Sequence, residues 1–276
     1  PGEEQVQLAF RTAGNGSEDK EALILLDMIL DNRTAGLINL NLNQQQLVAG
    51  AGSSPLFLND AGSQNLYGIP KQDQTLEEVE QLLLDQLEII KAGEFEDWII
   101  LAIINDFKKN EKASLEFNQA RVSMMRDSFI QGAEWDYHVA ELDRMSELTK
   151  QDVVNVANKY FGNDYVAVYR VDGKNEIPEV EKPQIDPVNI DSSQQSEFAA
   201  RILAMEYDEI EPTFVEADRD YRIIEFADGV QLYYAPNPLN DLFSFSINVE
   251  VGTEENEKLN LAAALMDVAG TTSRTN

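Results

Sequence analysis

The feature that most constrains the fold is a change of character in the middle of the chain. Residues 173–217 hold eleven acidic and three basic residues together with four prolines. Such a segment buries too little apolar surface to fold and favours an extended backbone. The sequence therefore predicts a domain over residues 1–172, an acidic interdomain linker over residues 173–220, and a second, shorter unit over residues 221–276.

Several short stretches of the first 172 residues have the alternation or the composition of strands. Residues 5–12 alternate polar and apolar side chains, and residues 165–171 are rich in valine and tyrosine. Residues 56–58 and 65–69 are expected to form two further short strands. The glycine-rich residues 49–55 are expected to form a turn between strands.

Helices are indicated by caps and by the spacing of apolar residues. One is expected over residues 19–30, and a second follows Thr75, which forms a capping box with the glutamate three residues later. Residues 94–133 have a helical composition, and Thr149 opens a last helix. Residues 37–48 remain ambiguous between strand and helix. Together with the strands, these helices predict an α+β fold in which helices pack on one face of a sheet, as in a two-layer sandwich.

A new pattern follows the linker. Residues 221–226 and 230–235 indicate a hairpin around the turn at Asp228 and Gly229. Residues 242–251 are expected to form a third strand, and residues 257–269 a short apolar helix. About 55 residues of this kind expose too much edge and apolar face to be a finished domain. We therefore expect an incomplete second α+β domain that could self-associate through its exposed edge.

Charge and composition exclude several classes of partner and chemistry. The formal net charge of -29 repels nucleic acids and anionic membrane surfaces. The chain has no run of about 18 apolar residues, so no membrane insertion is expected. Cysteine is absent, which excludes disulfides and thiol catalysis. His138 is the single histidine, so a zinc site built from two histidines cannot form within this chain.

Three stretches partly match ligand-binding motifs, and each lacks an essential residue. Residues 49–55 are glycine-rich like a phosphate loop, but proline stands at the third glycine position and no Gly-Lys-Ser/Thr follows. Residues 216–220 alternate carboxylates like a calcium loop, but Tyr221 occupies the position that needs glycine. His138 and Glu141 are half of a helix-borne metal motif. We interpret His138 as a helix-packing or surface residue.

Sequence features on both sides of the acidic linker occur together in one known family. Near the end they are Asp228-Gly-Val-Gln-Leu, then Val-Glu-Val-Gly252, a polar loop, and a helix that begins Leu261-Ala262 and is followed by Gly-Thr. The marks in the first part are residues 6–11, the apolar pairs at 25–26 and 29–30, the helix after Thr75, residues 148–153 and residues 157–161. With these marks the chain resembles the insulinase-like (pitrilysin) zinc metallopeptidases, relatives of the mitochondrial processing peptidases.

The resemblance also indicates where a zinc motif would stand. Catalytic halves of this family carry His-x-x-Glu-His on the corresponding helix, with two zinc ligands and a glutamate that activates the bound water. The resemblance places Ala263 at the first histidine, Met266 at the glutamate and Asp267 at the second histidine. Alanine and methionine cannot bind zinc or transfer a proton, and one aspartate cannot hold the ion. No catalytic, cofactor-binding or metal-binding residue is therefore expected in this chain, and zinc is expected elsewhere in the full-length parent.

These implications lead to two functional hypotheses. In the first, the chain is the central part of a zinc metallopeptidase: the second domain of the amino-terminal half, the linker, and the start of the inactive carboxy-terminal half. It would form chamber wall and peptide-binding surface, would be inactive alone, and would meet peptide substrates together with the missing catalytic half. The alternative is a catalytically dead scaffold or interaction protein of the same fold. Resemblance to bacterial members points to the periplasm or cell envelope.

Overall fold

The structure is a computed structural model that describes residues 3–32, 35–173, 181–188, 191, 194–248 and 250–269. The chain divides into two compact units, Pro1–Tyr234 and Ala235–Asn276, and each is described by itself. The first unit combines an antiparallel sheet with helices on one of its faces. The predicted α+β class is therefore confirmed.

A four-stranded sheet is the framework of the first unit. Its strands are β1 (Gln5–Thr12), β2 (Gly50–Phe57), β3 (Gly62–Ile69) and β4 (Tyr165–Arg170). Their order across the sheet is β2-β3-β1-β4, and every neighbouring pair is antiparallel. The predicted strand at residues 5–12 thus lies inside the sheet, while β2 and β4 form its two edges.

The described residues also form helices. They are, in chain order, α1 (Lys20–Leu30), α2 (Leu76–Lys91), α3 (Trp98–Ser114), α4 (Asn118–Gln131), α5 (Trp135–Val139), α6 (Glu141–Ser146), α7 (Lys150–Tyr160), α8 (Glu197–Leu203) and α9 (Lys258–Ala269). The predicted capping box forms at the start of α2, where Thr75 pairs with Glu78, and a second box forms at the start of α7, where Thr149 pairs with Asp152. Each box satisfies backbone N–H groups that the first helical turn leaves unpaired.

The core lies between the sheet and helices α1, α2 and α7. Val6, Leu8 and Phe10 project from β1 towards these helices and are fully buried. Each such side chain contributes about 1.5–3 kcal/mol through the apolar surface that it removes from water. Gly68 on β3 is needed for close packing, because a Cβ at this position would lie 2.3 Å from the side chain of Val79 on α2.

The expectation of a turn at residues 49–55 is wrong. Residues 50–55 belong to β2, which pairs with β3 along its whole length. Pro55 is tolerated because β2 is an edge strand, so the missing N–H group falls on the side that has no neighbouring strand. The ambiguous residues 37–48 contain a π-helical turn, Asn39–Asn43, which buries Leu42.

The long helical stretch is interrupted twice. Gly132 ends α4 in a left-handed conformation with φ 65°, which glycine adopts without steric cost. A second interruption at residues 115–117, which the sequence did not indicate, separates α3 from α4. α4 packs little against the rest of the unit, and Ser128 is its buried residue.

The acidic segment has little regular structure where it is described. Residues 181–188, 191 and 194–196 form neither helix nor strand. α8 is the helix within this segment, and the Ser196 hydroxyl caps it by accepting from the Ala199 N–H. The linker boundaries at residues 173 and 220 stay predictions.

The predicted hairpin forms at the end of the first unit. β5 (Arg222–Ala227) and β6 (Val230–Tyr234) pair in antiparallel fashion, and Gly229 supplies the turn with φ 73°. Nearly all of its side chains are exposed. This two-stranded sheet is separate from the four-stranded one.

The second unit contains α9 and the loops before it. A third strand was expected at residues 242–251, but residues 242–248 and 250–251 form no strand, so this expectation is wrong. A strand requires a neighbouring backbone to bond its amide groups. No described residue is paired with this stretch as a strand, although its Phe-Ser-Phe-Ser-Ile alternation has strand character.

Candidate functional site

α9 carries the three positions at which the resemblance places a degenerate zinc motif. Ala263 and Met266 are exposed, and Asp267 lies on the same helix with a side chain outside the described residues. Neither a methyl group nor a thioether is among the nitrogen, oxygen and thiolate ligands that proteins use for zinc. The residues of α9 therefore do not fit a zinc site. Gly270 and Thr271, which belong to the same resemblance, lie outside the described residues.

The described part of the chain contains no group of three or more His, Cys, Asp or Glu side chains that could hold a metal ion. His138 lies on α5, half-buried, with its ring centroid 6.1 Å from that of Trp135. This placement agrees with a helix-packing residue.

The two edges of the four-stranded sheet differ in how their outward backbone groups are used. On β2, the N–H of Ala51 donates to Asn43 Oδ1 at 2.9 Å, and its carbonyl accepts from Asn43 Nδ2 at 2.9 Å. The N–H of Ser53 donates to Asp31 Oδ2 at 3.0 Å. Pro55 has no N–H to offer. Side chains and a proline therefore close the β2 edge, a common protection against further strand pairing.

These contacts also fix which groups of β4 point outward. In antiparallel pairs, successive residues alternate between bonding one neighbour and facing the other side. The backbone groups of Ala51 face away from β3, so those of its partner Gly68 face β1 and bond Val6. The next residue of β1, Gln7, then bonds Val168 of β4. The backbone groups of residues 165, 167 and 169, which alternate with Val168, therefore face outward from β4. Among the described residues, none bonds to these groups, so β4 is the open edge.

Two tyrosines hold β4 against the helical layer. Tyr165 donates to Glu80 Oε1 of α2 at 2.7 Å, and Tyr169 donates to Glu80 Oε2. The hydrogen bond to the Glu80 carboxylate raises the pKa of Tyr165, and it raises the pKa of Tyr169 to about 12. Both hydroxyls therefore stay protonated donors at neutral pH. The edge strand is fixed from the inner side while its outer side remains open.

The face of the sheet opposite the helices forms a mixed apolar and polar surface. Pairing across the four strands brings Ser54, Asn65, Ala9 and Val166 into one row. The next row contains Gly52, Tyr67, Gln7 and Val168. Tyr67, Val166 and Val168 are among the exposed large side chains of the chain. We call this surface the open face; it lies beside the open edge of β4.

A buried carboxylate joins the helical layer to the closed edge. Asp27 of α1 is 8% exposed and accepts from the Ser53 hydroxyl and from Gln64 Nε2, the latter at 2.6 Å. Burial raises the pKa of Asp27, and the nearby charge of Asp31 adds to this effect. Sequence reasoning missed this group. Its only signal was an acidic residue inside the apolar run of α1.

The family comparison concerns the first part of the chain. Residues 2–107 match the family model described as the peptidase M16 inactive domain. The matched region contains β1, α1, β2, β3, α2 and part of α3. The comparison with curated proteins gave no match.

Solved structures share the fold over more than half of the chain. A protease from Helicobacter pylori aligns with 60% of this chain at 21% identity and a TM-score of 0.57, and the aligned part spans 41% of that protein. A candidate zinc protease from Bordetella pertussis Tohama I aligns with 62% of this chain and 94% of its own, at 16% identity and a TM-score of 0.55. The inactive peptidase domain of a candidate zinc protease from Bordetella parapertussis aligns with 64% and 96%, at 16% identity and a TM-score of 0.56.

At identities of 16–21%, these TM-scores establish a shared fold. In the part of the chain that the structure describes, no helix combines the length and the apolar character needed to cross a membrane.

Proposed function

We propose that this chain is the non-catalytic central part of a zinc metallopeptidase, because residues 2–107 match the family model of the peptidase M16 inactive domain. In this proposal residues 1–172 form part of a chamber wall and residues 173–220 are the linker. Residues 221–276 begin the inactive carboxy-terminal half. The catalytic zinc belongs to a separate half of the parent protein, because the residues on α9 do not fit it.

The observation that carries the proposal is the one-sided covering of the four-stranded sheet. Helices α1, α2 and α7 bury one face, whereas the other presents Tyr67, Val166 and Val168 to solvent. A chamber wall needs such an arrangement, since its inner surface must contact substrate and its outer surface must be stabilised by packing. Exposed apolar side chains among polar ones suit peptides of varied sequence.

The open edge of β4 supplies the peptide contact. An extended peptide can add to a free edge and bond to its backbone groups, which gives affinity that depends little on side-chain identity. β4 offers outward groups at residues 165, 167 and 169, whereas the outward groups of β2 are occupied. The net charge of -29 favours basic peptides by long-range attraction.

A proline substitution tests the peptide contact. Ala167→Pro removes one outward N–H from β4 and no bond to β1, so an edge strand tolerates it. Ala167→Val is the matched control, because it adds bulk and keeps the N–H. The probe is a fluorescein-labelled peptide of alternating lysine and valine, followed by fluorescence anisotropy. We expect Ala167→Pro to weaken binding about two- to tenfold, the effect of one lost hydrogen bond, and Ala167→Val to bind like wild type. Equal affinities of the two variants would contradict binding at this edge.

A separate measurement tests the absence of catalysis. The purified chain should contain no stoichiometric zinc by elemental analysis and should not cleave casein or insulin B chain. Stoichiometric zinc, or proteolysis that a chelator abolishes, would overturn the proposal whatever the result of the peptide titration.

A further inference from the structure

α4 presents an apolar stripe that nothing in the described structure covers. Val122, Met125 and Phe129 are spaced by three and four residues, so they lie on one side of the helix. All three are exposed, and Phe129 is 86% exposed. Contiguous exposed apolar side chains of this size mark interaction sites in soluble proteins.

Two arginines flank this stripe. Arg121 and Arg126 lie on either side of it at helical spacing, and Asp127 is the acidic residue of α4. Arg126 is more than half exposed and bonds Asp127 at 2.8 Å. With two arginines and one aspartate, α4 has a formal charge of +1 in a chain whose net charge is -29. We call Val122, Met125, Phe129 and the two arginines the α4 face.

A second unused surface has the complementary chemistry. Residues 205–218, here called the acidic segment, contain six acidic and no basic residues. The structure gives residues 206–216 no helix or strand, and Pro212 opposes helix formation. The large apolar side chains of the segment point into solvent, with Tyr207 83% and Ile210 95% exposed. Phe214 is also exposed.

We propose that this chain self-associates by docking the acidic segment of one copy onto the α4 face of a second copy. Ile210, Tyr207 and Phe214 cover the stripe of Val122, Met125 and Phe129, and the flanking carboxylates face the two arginines. Burial of the apolar side chains drives the contact, and the opposite charges set its orientation.

A second copy is the occupant because each copy carries both surfaces, and the apolar side chains of both are exposed. Within one copy Phe129 and Ile210 remain almost fully exposed, so neither covers the other. Two copies related by a two-fold axis can satisfy both contacts at once, which closes the association at a dimer. The hairpin edge of residues 222–234 takes no part in this contact.

Sedimentation velocity of the full chain over a concentration series tests the proposal. We expect a monomer–dimer equilibrium that Phe129→Ser and Ile210→Ser each weaken about tenfold or more, as expected for removing a large apolar side chain from an interface. Phe226→Ser is the matched control, because Phe226 is equally apolar and exposed but lies on β5. It should leave the dissociation constant unchanged. Circular dichroism confirms that the variants keep their fold.

A charge exchange distinguishes contacts between copies from contacts within one copy. Arg126→Glu places an acidic residue on the α4 face, and the double variant Asp208→Lys with Glu209→Lys changes the formal charge of the acidic segment from -6 to -2. Each variant alone should dimerise more weakly than wild type. An equimolar mixture should dimerise more strongly than either variant alone, because one contact is then native and the other has its charges reversed.

Three results would overturn the proposal. The first is a wild-type chain that is monomeric at every concentration, including the case in which the segment docks within its own copy. The second is a dimer that Phe226→Ser weakens while Phe129→Ser does not. The third is a mixture of the charge variants that dimerises no more strongly than either variant alone.

Discussion

The four-stranded sheet and the β5–β6 hairpin contain the same kinds of side chains, but they differ in what covers them. On β1, Val6, Leu8 and Phe10 are buried under helices. On β5, Ile224 and Phe226 alternate in the same way, yet Phe226 is 77% exposed. An apolar alternation thus produces a strand in both places, and a packed layer in only one of them.

Strand formation and burial are therefore separate requirements. A two-stranded hairpin is only marginally stable unless more strands or a helix cover its apolar side. The exposed hairpin therefore supports the proposal that residues 221–276 begin a domain whose covering elements come from another part of the parent protein. Four-stranded pairing and three packed helices make the sheet stable without such help.

The largest effect is expected from opening a cavity in the covered sheet. Leu8→Ala should lower the free energy of unfolding by about 3–5 kcal/mol, because Leu8 is fully buried and its surroundings cannot collapse freely. Phe226→Ala should change it by less than about 0.5 kcal/mol. Urea denaturation followed by far-ultraviolet circular dichroism measures both. Similar losses from the two substitutions would mean that the hairpin is covered in solution.

A smaller difference in stability is expected between an ion pair of the helical layer and an ion pair in the exposed residues before β5. Glu21 of α1 is 4% exposed and accepts from Arg144 Nη2 at 2.5 Å and Nε at 3.0 Å. Arg144→Met should cost about 3 kcal/mol, because it leaves a buried carboxylate without its partner. Arg219 in the exposed part also pairs with carboxylates, those of Glu216 and Asp220. Arg219→Met should produce no measurable loss in the same denaturation experiment, since solvent screens exposed pairs. A comparable loss from both would show that water reaches Glu21.

The parts of the fold that could be predicted are those with local signals. Thr75 and Thr149 lie three residues before a carboxylate, the helices after them form as expected, and Thr75 forms the predicted capping box. β2 could not be predicted, because its glycines, serines and proline are typical of turns. Its strand conformation depends on pairing with β3 and on side-chain bonds with Asn43 and Asp31, which lie 8 and 22 residues from their partners in β2.

The candidate surface was less predictable than the fold. Which edge of the sheet is open depends on the strand order, and no local pattern distinguishes β2 from β4. The family resemblance implies a peptide-binding surface in general terms, and the structure adds that Asn43, Asp31 and Pro55 close one edge of the sheet. The three positions on α9 remain predictions, since they rest on the family resemblance.

Asp27 and Asp152 show how the same residue type responds to a buried and a surface position. Burial raises the pKa of Asp27. Hydrogen bonds from Thr149, first from its side chain and then from its backbone, lower the pKa of Asp152. Asp27 therefore contributes stability that is full below its unfolded pKa of about 3.9 and is lost as the pH rises through its raised folded pKa. The contribution of Asp152 is full above its unfolded pKa and is lost as the pH falls through its lowered folded pKa.

The last and smallest effect is a pH dependence of opposite form at these two positions. Asp27→Asn keeps an acceptor for Ser53 and Gln64 but cannot ionise, so its stability relative to wild type should increase as the pH is raised from about 4 to 7. Asp152→Asn, the matched control, should lose stability through the weakened capping box, and this loss should stay constant above about pH 5. Urea denaturation at several pH values gives both differences. A constant difference for Asp27→Asn would show that Asp27 is hydrated, and that the closed β2 edge is less protected from water than its contacts with Ser53 and Gln64 imply.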